Sequence, residues 1–143
     1  MFAKLTAAIS DIVPVAAAAV AAGATGLTLV NTLLGLAIDA DERRPVLGAG
    51  GGGLSGPPIK PVALRAVHSV ATALPGVPII GTGGVTSGID AAEMLIAGAH
   101  AVGVGTATYA EPRATLRIRN ELAAWCARRG VTPRSLTATL ESR

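Results

Sequence analysis

Short apolar runs alternate along this chain with longer segments rich in Ala and Leu that have a helical pattern. The apolar runs predict four β-strands, at 2–5, 27–30, 77–80 and 101–104. The longer segments predict four helices, at 11–22, 62–73, 88–97 and 113–129. Strands that alternate with helices in this way indicate βα units and a parallel sheet.

Helix ends and one long loop divide this pattern. Asp11 is a candidate N-cap of the first helix, Ser87 is a candidate N-cap of the third, and Gly98 ends the third. Residues 33–61 show neither a strand nor a helix pattern and include a run of glycines. A loop of this length inside a compact domain is usually functional or disordered.

The number of βα units bounds the fold. A complete (β/α)₈ TIM barrel takes about 250 residues, so four units in 143 residues predict an α/β half-barrel. No change of composition marks a linker, and residues 1–143 are therefore expected to form one domain. An open half-barrel would leave two strand edges unpaired and an apolar inner face uncovered. We therefore expect the C-terminal half of a longer barrel, or halves that associate.

Composition narrows the class of protein. Half of the residues are hydrophobic while Trp, Tyr and Phe occur once each, which predicts an ordered core of Ala, Val, Leu and Ile. A net charge of +3 could suit nucleic acid. However, the arginines of the last quarter are interleaved with glutamates, as on a solvated helix face, and three aromatic residues make a poor base-stacking platform. No nucleic-acid partner is predicted.

Location is read from cysteine usage and hydropathy. The single cysteine, Cys126, excludes an internal disulfide framework and fits a reducing cytoplasm. The longest apolar run, 12–22, is shorter than the roughly 20 residues that span a bilayer. Residues 1–4 do not form the basic start of a signal peptide. A cytoplasmic protein without a membrane segment is expected.

Two glycine-containing pairs follow the last two predicted strands. They are Gly83-Gly84 and Gly105-Thr106. Glycine allows a backbone to approach an anion closely, and TIM barrels commonly bind phosphate with the loops after their last two strands. Tight turns alone would also explain either pair. Because two successive strands end in this way, we predict a phosphate site.

Two polar positions near the same strand ends are ambiguous on local grounds. Asn31-Thr32 ends the second strand, where an amide could bond the edge of a planar ligand or simply serve as a turn residue. Lys4 lies within the first strand, where it would face an anion or an open end of a barrel, or lie on the surface near Met1.

Residues 53–61, with the sequence GLSGPPIKP, are the most distinctive string, because prolines stiffen it while Gly56 would allow close approach of a ligand. With this string, the chain resembles the class 1 dihydroorotate dehydrogenases, and most of all the NAD-linked 1B catalytic subunit. The motifs that carry the resemblance are VNTLLG at 30–35, PVLG at 45–48, GGLSGPPIKPVALR at 52–65, PIIGTGGV at 78–85, AGA at 97–99 and VGTA at 104–107.

The resemblance implies a (β/α)₈ barrel that binds FMN and oxidises dihydroorotate to orotate in pyrimidine biosynthesis. It implies that Lys4 contacts the flavin ring and that Asn31 and Thr32 bond the orotate ring. The remaining implied FMN contacts are Val30 and Gly56 along the cofactor and Gly83, Gly84, Gly105 and Thr106 at its phosphate. In 1B enzymes a separate iron–sulfur and FAD subunit takes the electrons, and this chain has no cysteine cluster for such a centre.

Departures from the family pattern concern catalysis. Ala7-Ala8 replaces a usual Pro-Asn pair, and Gly103 replaces a commonly larger polar residue. The family's catalytic cysteine lies before the strand of Lys4, so no catalytic residue is assigned here, and Cys126 is interpreted as a packing residue. A truncated, inactive subunit is the first hypothesis. Another FMN barrel oxidoreductase of a pyrimidine-like ring, or a non-catalytic flavin-binding or phosphate-binding half-barrel, are the alternatives.

Overall fold

Four parallel strands form the centre of the computed structural model, which describes residues 1–141. They are β1 (Phe2–Thr6), β2 (Gly26–Asn31), β7 (Ile79–Thr82) and β8 (Ala101–Gly103), and four short strands described below lie between β2 and β7 in the chain. Their order in the sheet is β1-β2-β7-β8. The sheet is the one that four βα units predict, with β1 and β8 at its edges.

The first three helices pack against one face of this sheet, and the last helix packs on the third. Their bounds are Val13–Ala21 for α1, Lys60–Ala73 for α2, Gly88–Ala97 for α3, Ala107–Ala110 for α4 and Ala114–Arg129 for α5. Leu27 and Leu29 of β2 and Ile79 of β7 are buried beneath α2 and α3, together with Val67 and Met94. This layer of aliphatic side chains is the core of the chain.

The opposite face of the sheet carries mixed side chains. The register pairs Lys4 with Thr28, Thr28 with Ile80, and Thr82 with Gly103, and residues paired across parallel strands share a face. Lys4 is exposed and Thr28, Ile80 and Thr82 are partly so. The open face is therefore mixed rather than wholly apolar, because Lys4 and the threonines lie beside exposed Phe2 and partly exposed Ile80.

The long stretch between β2 and α2 is ordered, contrary to the sequence pattern. It forms an arm of two antiparallel pairs, with β3 (Leu33–Gly35) against β6 (Gly52–Leu54) and β4 (Ile38–Asp39) against β5 (Arg44–Pro45). Apolar side chains stand out from it, among them Leu34, which is 88% exposed. The sequence pattern does not predict these strands, because each has only two or three residues, too few to show a period-two alternation.

The boundaries of the predicted elements differ from the observed ones by up to two residues. The first helix begins at Val13, so Asp11 is not its N-cap, although Asp11 Oδ1 accepts a hydrogen bond from the Val13 N–H at 3.0 Å. Strand β7 begins at Ile79 because Pro78 has no N–H for the ladder. At α3 the predictions are confirmed, since Ser87 is the N-cap and Gly98 follows the last turn with φ 122°.

None of the helices within residues 1–141 is both long enough and apolar enough to cross a bilayer.

Candidate ligand-binding cleft at the carboxyl ends of the strands

One cleft, with a volume of about 130 Å³, lies where the carboxyl ends of the four parallel strands meet. All nine residues that the sequence singled out for cofactor or substrate contacts line it: Lys4, Val30, Asn31, Thr32, Gly56, Gly83, Gly84, Gly105 and Thr106. Ser55, Ile59, Thr82, Val85, Thr86 and Ala107 complete the lining. Segments as distant in sequence as Lys4 and Thr106 thus converge on one surface.

Gly83 and Gly84 form the floor of this cleft in a conformation that favours glycine. Their φ angles are 126° and 76°, which L-residues rarely adopt. A Cβ on Gly84 would lie 2.7 Å from Lys60 Cβ and 2.9 Å from the carbonyl oxygen of Gly56. The turn after β7 is therefore packed directly against the segment that leads into α2.

Backbone N–H groups at the ends of β7 and β8 are available to a ligand. Within residues 1–141, the N–H groups of Gly83, Gly84, Gly105 and Thr106 donate to no protein acceptor. A group of free N–H donors from glycine-rich turns is the arrangement that binds phosphate oxygens.

Gly56 and Thr106 join the arm to the end of β8. The Thr106 hydroxyl donates a hydrogen bond to Ser55 Oγ at 2.9 Å. Gly56 has φ 78°, and a Cβ there would lie 3.5 Å from Thr106 Cγ2. The string at 53–61 therefore closes one side of the cleft.

Lys4, Asn31 and Thr32 line the side of the cleft towards β1. Lys4 projects from the open face of the sheet, and Asn31 pairs with Thr6 at the end of β2. Lys4 is the one cation among the lining residues, and none of them is a carboxylate, an imidazole or a thiol. The cleft therefore offers donors and one positive charge, which suits an anionic ligand.

Asp90, which sequence reasoning missed, supports the cleft from behind. Its Oδ2 accepts hydrogen bonds from the Thr86 N–H at 2.9 Å, the Thr86 hydroxyl at 2.9 Å and the Ser87 N–H at 2.8 Å. Its Oδ1 accepts a bond from Lys60 Nζ at 2.5 Å. Ser87, three residues before Asp90, was a visible capping-box signal for part of this arrangement.

These contacts shift two pKa values. Burial raises the pKa of Asp90, but the hydrogen bonds from Lys60, Thr86 and Ser87 outweigh burial and lower it from 3.8 to about 2. The bond to Asp90 is in turn the main reason why the pKa of Lys60 is raised. Both groups are therefore charged at neutral pH.

A second charged group fixes α5 against the start of α3. Arg117 pairs with Glu111 at 2.8 Å and with Glu121 at 2.7 Å, and these hydrogen bonds raise the pKa of Arg117. Glu121 also accepts the Gly88 N–H at 2.7 Å. Its bonds to Arg117 and to Gly88 lower the pKa of Glu121.

The remaining candidate groups for chemistry lie away from the cleft. Cys126 is 3% exposed and packs with Ala92, Leu95 and Leu136, as expected of a packing residue. His68 and His100 are exposed, and His100 Nδ1 accepts a weak bond from the Ile79 N–H at 3.3 Å. No group of three or more His, Cys, Asp or Glu side chains in the described part of the chain is placed to hold a metal ion.

Comparisons with known proteins agree on one family. The family model described as dihydroorotate dehydrogenase matches residues 1–125. The dihydroorotate dehydrogenase B (NAD(+)) catalytic subunit of Alkaliphilus metalliredigens is 57% identical over 115 residues, 80% of this chain and 38% of that protein. The B-type catalytic subunit of Trichlorobacter lovleyi is 50% identical over 139 residues, 96% of this chain and 45% of that protein.

Two further relatives widen the comparison. A protein of Solibacter usitatus, provisionally named as an A-type, fumarate-linked dihydroorotate dehydrogenase, is 56% identical over 128 residues, 90% of this chain and 42% of its own length. The structure of dihydroorotate dehydrogenase from Eimeria tenella in complex with ferulenol superimposes with a TM-score of 0.79 and 28% identity, over 96% of this chain and 37% of that one.

These matches confirm the fold class and set its extent. The four-stranded parallel sheet is half of a (β/α)₈ barrel. The chain spans about two fifths of the length of the curated relatives that it matches, 38% and 45% in the two B-type examples.

The Asp90 pKa generates a prediction about stability in acid. A carboxylate whose folded pKa lies below its unfolded value stabilises the fold above about pH 4, and that stabilisation is lost as the pH falls through about 2. Between pH 6 and pH 2, the free energy of unfolding of the wild type, measured with urea, should therefore fall by about 2 kcal/mol more than that of Asp90→Asn. Equal losses in the two proteins would show that Asp90 contributes no such term.

Proposed function

This chain belongs to the dihydroorotate dehydrogenase family, and we propose that residues 1–143 form the C-terminal half of an FMN-binding barrel domain that oxidises dihydroorotate to orotate in pyrimidine biosynthesis. The observation that supports the proposal is the meeting, in one cleft, of the nine contact residues that the family resemblance implies. Their match to the family's motifs adds the identity of the ligands.

The phosphate of FMN would be held by the two turns after β7 and β8. Gly83 and Gly84 have backbone angles that L-residues rarely adopt, and a side chain would strike Ala63 and Ile59 at Gly83 and Lys60 at Gly84. Gly105 has no atom within 4 Å of a would-be Cβ. Free N–H groups on these residues and on Thr106 would receive the phosphate oxygens. The donor set therefore fits the group.

The ring side of the ligand would lie towards β1 and β2. Lys4 would place its ammonium beside the flavin ring, where a cation favours the reduced, anionic form. Val30 would contact the cofactor, and Asn31 and Thr32 would bond the orotate ring. Bound FMN would supply the two-electron acceptor for the oxidation. The cleft of about 130 Å³ is smaller than the roughly 300–1,000 Å³ of usual ligand pockets, so it would hold only part of FMN.

The names of the relatives bear on the electron acceptor and on a partner. Those of the B-type relatives include NAD(+) and a catalytic subunit, which supports a partner subunit for this chain. That this partner carries iron–sulfur and FAD centres, and that the complex is cytoplasmic, is proposed from the family resemblance and the cysteine usage of the sequence. The A-type relative from Solibacter usitatus points instead to fumarate. The B type is favoured by its recurrence among the relatives.

A second candidate function is binding without catalysis. The cleft's lining contains no carboxylate, imidazole or thiol that could take a proton from the substrate. Cofactor or phosphate binding by a non-catalytic half-barrel needs only the donors that are present. Turnover of a related pyrimidine-like ring by another FMN barrel enzyme would use the same cofactor contacts.

Flavin binding tests the first proposal. Titrating the 143-residue chain into FMN should quench flavin fluorescence, and Lys4→Ala should weaken the affinity about tenfold because a charge-assisted contact is lost. Arg119→Ala removes the same charge from the exposed side of α5, where Arg119 bonds only Asn120, and should change nothing. No quenching by the wild type would contradict the proposal.

Turnover separates catalysis from binding alone. We expect dihydroorotate not to bleach the flavin absorbance of the FMN-loaded chain rapidly, since general-base assistance is commonly worth about 10²–10⁴-fold and the cleft lacks a base. When the chain is fused to the N-terminal half of a B-type relative and loaded with FMN, dihydroorotate should bleach the flavin absorbance. Stopped-flow absorbance measures both, and rapid bleaching by the chain alone would reveal a base that is not identified here.

Self-association is proposed from the arm and the sheet edges. Leu34, Ile38 and Val46 are 88%, 63% and 61% exposed, and the arm tip carries Asp41 and Glu42 beside basic residues, which allows charge pairing between two copies. Light scattering after size exclusion should give at least a dimer, and Leu34→Lys with Ile38→Lys should shift it to a monomer. A wild-type monomer at micromolar concentration would contradict this surface.

A further inference from the structure

Asp90 is the one buried charged residue in the described part of the chain, 8% exposed. It does not line the cleft, yet it contacts the turn that does. Thr86 and the neighbouring Gly84 are lining residues, and Thr86 is held to Asp90 through both its N–H and its hydroxyl. Asp90 therefore lies directly behind the anion-binding turn.

The contacts of Asp90 exceed those that a helix cap requires. A capping box explains the reciprocal bonds with Ser87, in which Ser87 Oγ accepts the Asp90 N–H at 3.2 Å and Asp90 Oδ2 accepts the Ser87 N–H. It does not explain the two bonds from Thr86 or the ion pair with Lys60. The additional bonds join the turn after β7 to the start of α2.

Lys60 connects Asp90 to the other side of the same turn. Lys60 Cα and Cβ are the atoms that a side chain on Gly84 would strike, at 3.0 and 2.7 Å. Its Nζ lies 2.5 Å from Asp90 and 2.7 Å from Glu93, although the Glu93 oxygen is not well oriented as a hydrogen-bond acceptor. Gly84 is thus packed against Lys60 and Gly83 against Ile59 and Ala63. The same turn continues into Thr86 and Ser87, which Asp90 holds.

We propose that Asp90 is a positioning residue, which fixes the 83–87 turn so that its N–H groups hold the phosphate end of the ligand, while Lys60 neutralises the carboxylate behind that anion. The proposal rests on the proposed function, since it concerns the same cleft. An uncompensated buried carboxylate at this place would repel a phosphate. A free-moving glycine turn would lose conformational entropy whenever it bound one.

Comparison of FMN with riboflavin tests the positioning role, because the two differ in the phosphate alone. Asp90→Ala should lower FMN affinity by about tenfold or more and leave riboflavin affinity within about twofold. Thr86→Val, which removes one of the bonds while keeping Asp90, should lower FMN affinity in the same selective way but less. Equal losses for both flavins, or no loss for FMN, would overturn the proposal.

Glu93→Gln is the matched control for charge. It removes one negative charge next to Lys60 but touches neither Thr86 nor Ser87, so FMN affinity should stay within about twofold. Through charge alone, loss of a carboxylate near the phosphate would strengthen FMN binding. A selective loss as large as that of Asp90→Ala would therefore show that the bonds to Thr86 and Ser87 are not what matters, and would overturn positioning. Lys60→Met should weaken FMN selectively, and the deficit should shrink at high salt, where the repulsion is screened.

Hydrogen exchange without ligand separates this proposal from the proposed function. The Thr86 and Ser87 amides, which donate to Asp90, should exchange about tenfold faster in Asp90→Ala and also faster in Thr86→Val, while those of α5 keep their wild-type rates. If the wild type binds neither flavin, the proposed function fails, and faster exchange confined to 83–87 would still support the positioning role. Unchanged exchange in that turn would overturn it under either outcome.

Discussion

Because β1, β2, β7 and β8 are parallel, every segment that follows one of these strands starts at the same end of the sheet, where the carboxyl ends of the strands lie. Each such segment must then turn back over the helix-covered face, because Leu27, Leu29 and Ile79 draw the helices there. Two glycine turns and the end of β2 are consequently brought together, although 50 or more residues separate Asn31 from Gly83 and from Gly105. The location of the cleft is thus a consequence of strand direction rather than of any one side chain.

A cleft made of glycines needs support from elsewhere, because glycine backbones are free to move unless they are held. Gly83 and Gly84 have no side chains with which to fix themselves. The turn that contains them is held by the bonds of Thr86 and Ser87 to Asp90, and by the packing of Ile59 and Ala63 against Gly83 and of Lys60 against Gly84. Charge pairing keeps this support compatible with an anion, since Lys60 and Asp90 compensate each other at neutral pH. The residues that line the cleft are therefore not the residues that hold its glycine turn in place.

Sequence reasoning reached the lining of the cleft and missed its support for one physical reason. Gly83-Gly84, Gly105-Thr106 and Asn31-Thr32 are local signals, because polar or glycine residues appear directly where an apolar strand stops. The Lys60–Asp90 pair joins residues that are 30 positions apart, and no local pattern reports that contact. The arm escaped in the same way, since β3 and β6 are recognisable only once they pair. The first helix begins at Val13, and Asp11 accepts the Val13 N–H without being the N-cap, a distinction that the sequence pattern does not make.

The environment of Lys4 shows that one face of the sheet packs against the helices and the other carries polar side chains. Its neighbours Ala3 and Leu5 point to the helices and pack against the core, so the side chain of Lys4 must point to the open face. A lysine there would be unfavourable inside a dry barrel unless an anion or water met it. Thr28 beside it and Thr82 two strands away keep that face able to bond polar groups. The alternation along β1 therefore places Lys4, the one cation among the described residues that line the cleft, on the open face of the sheet.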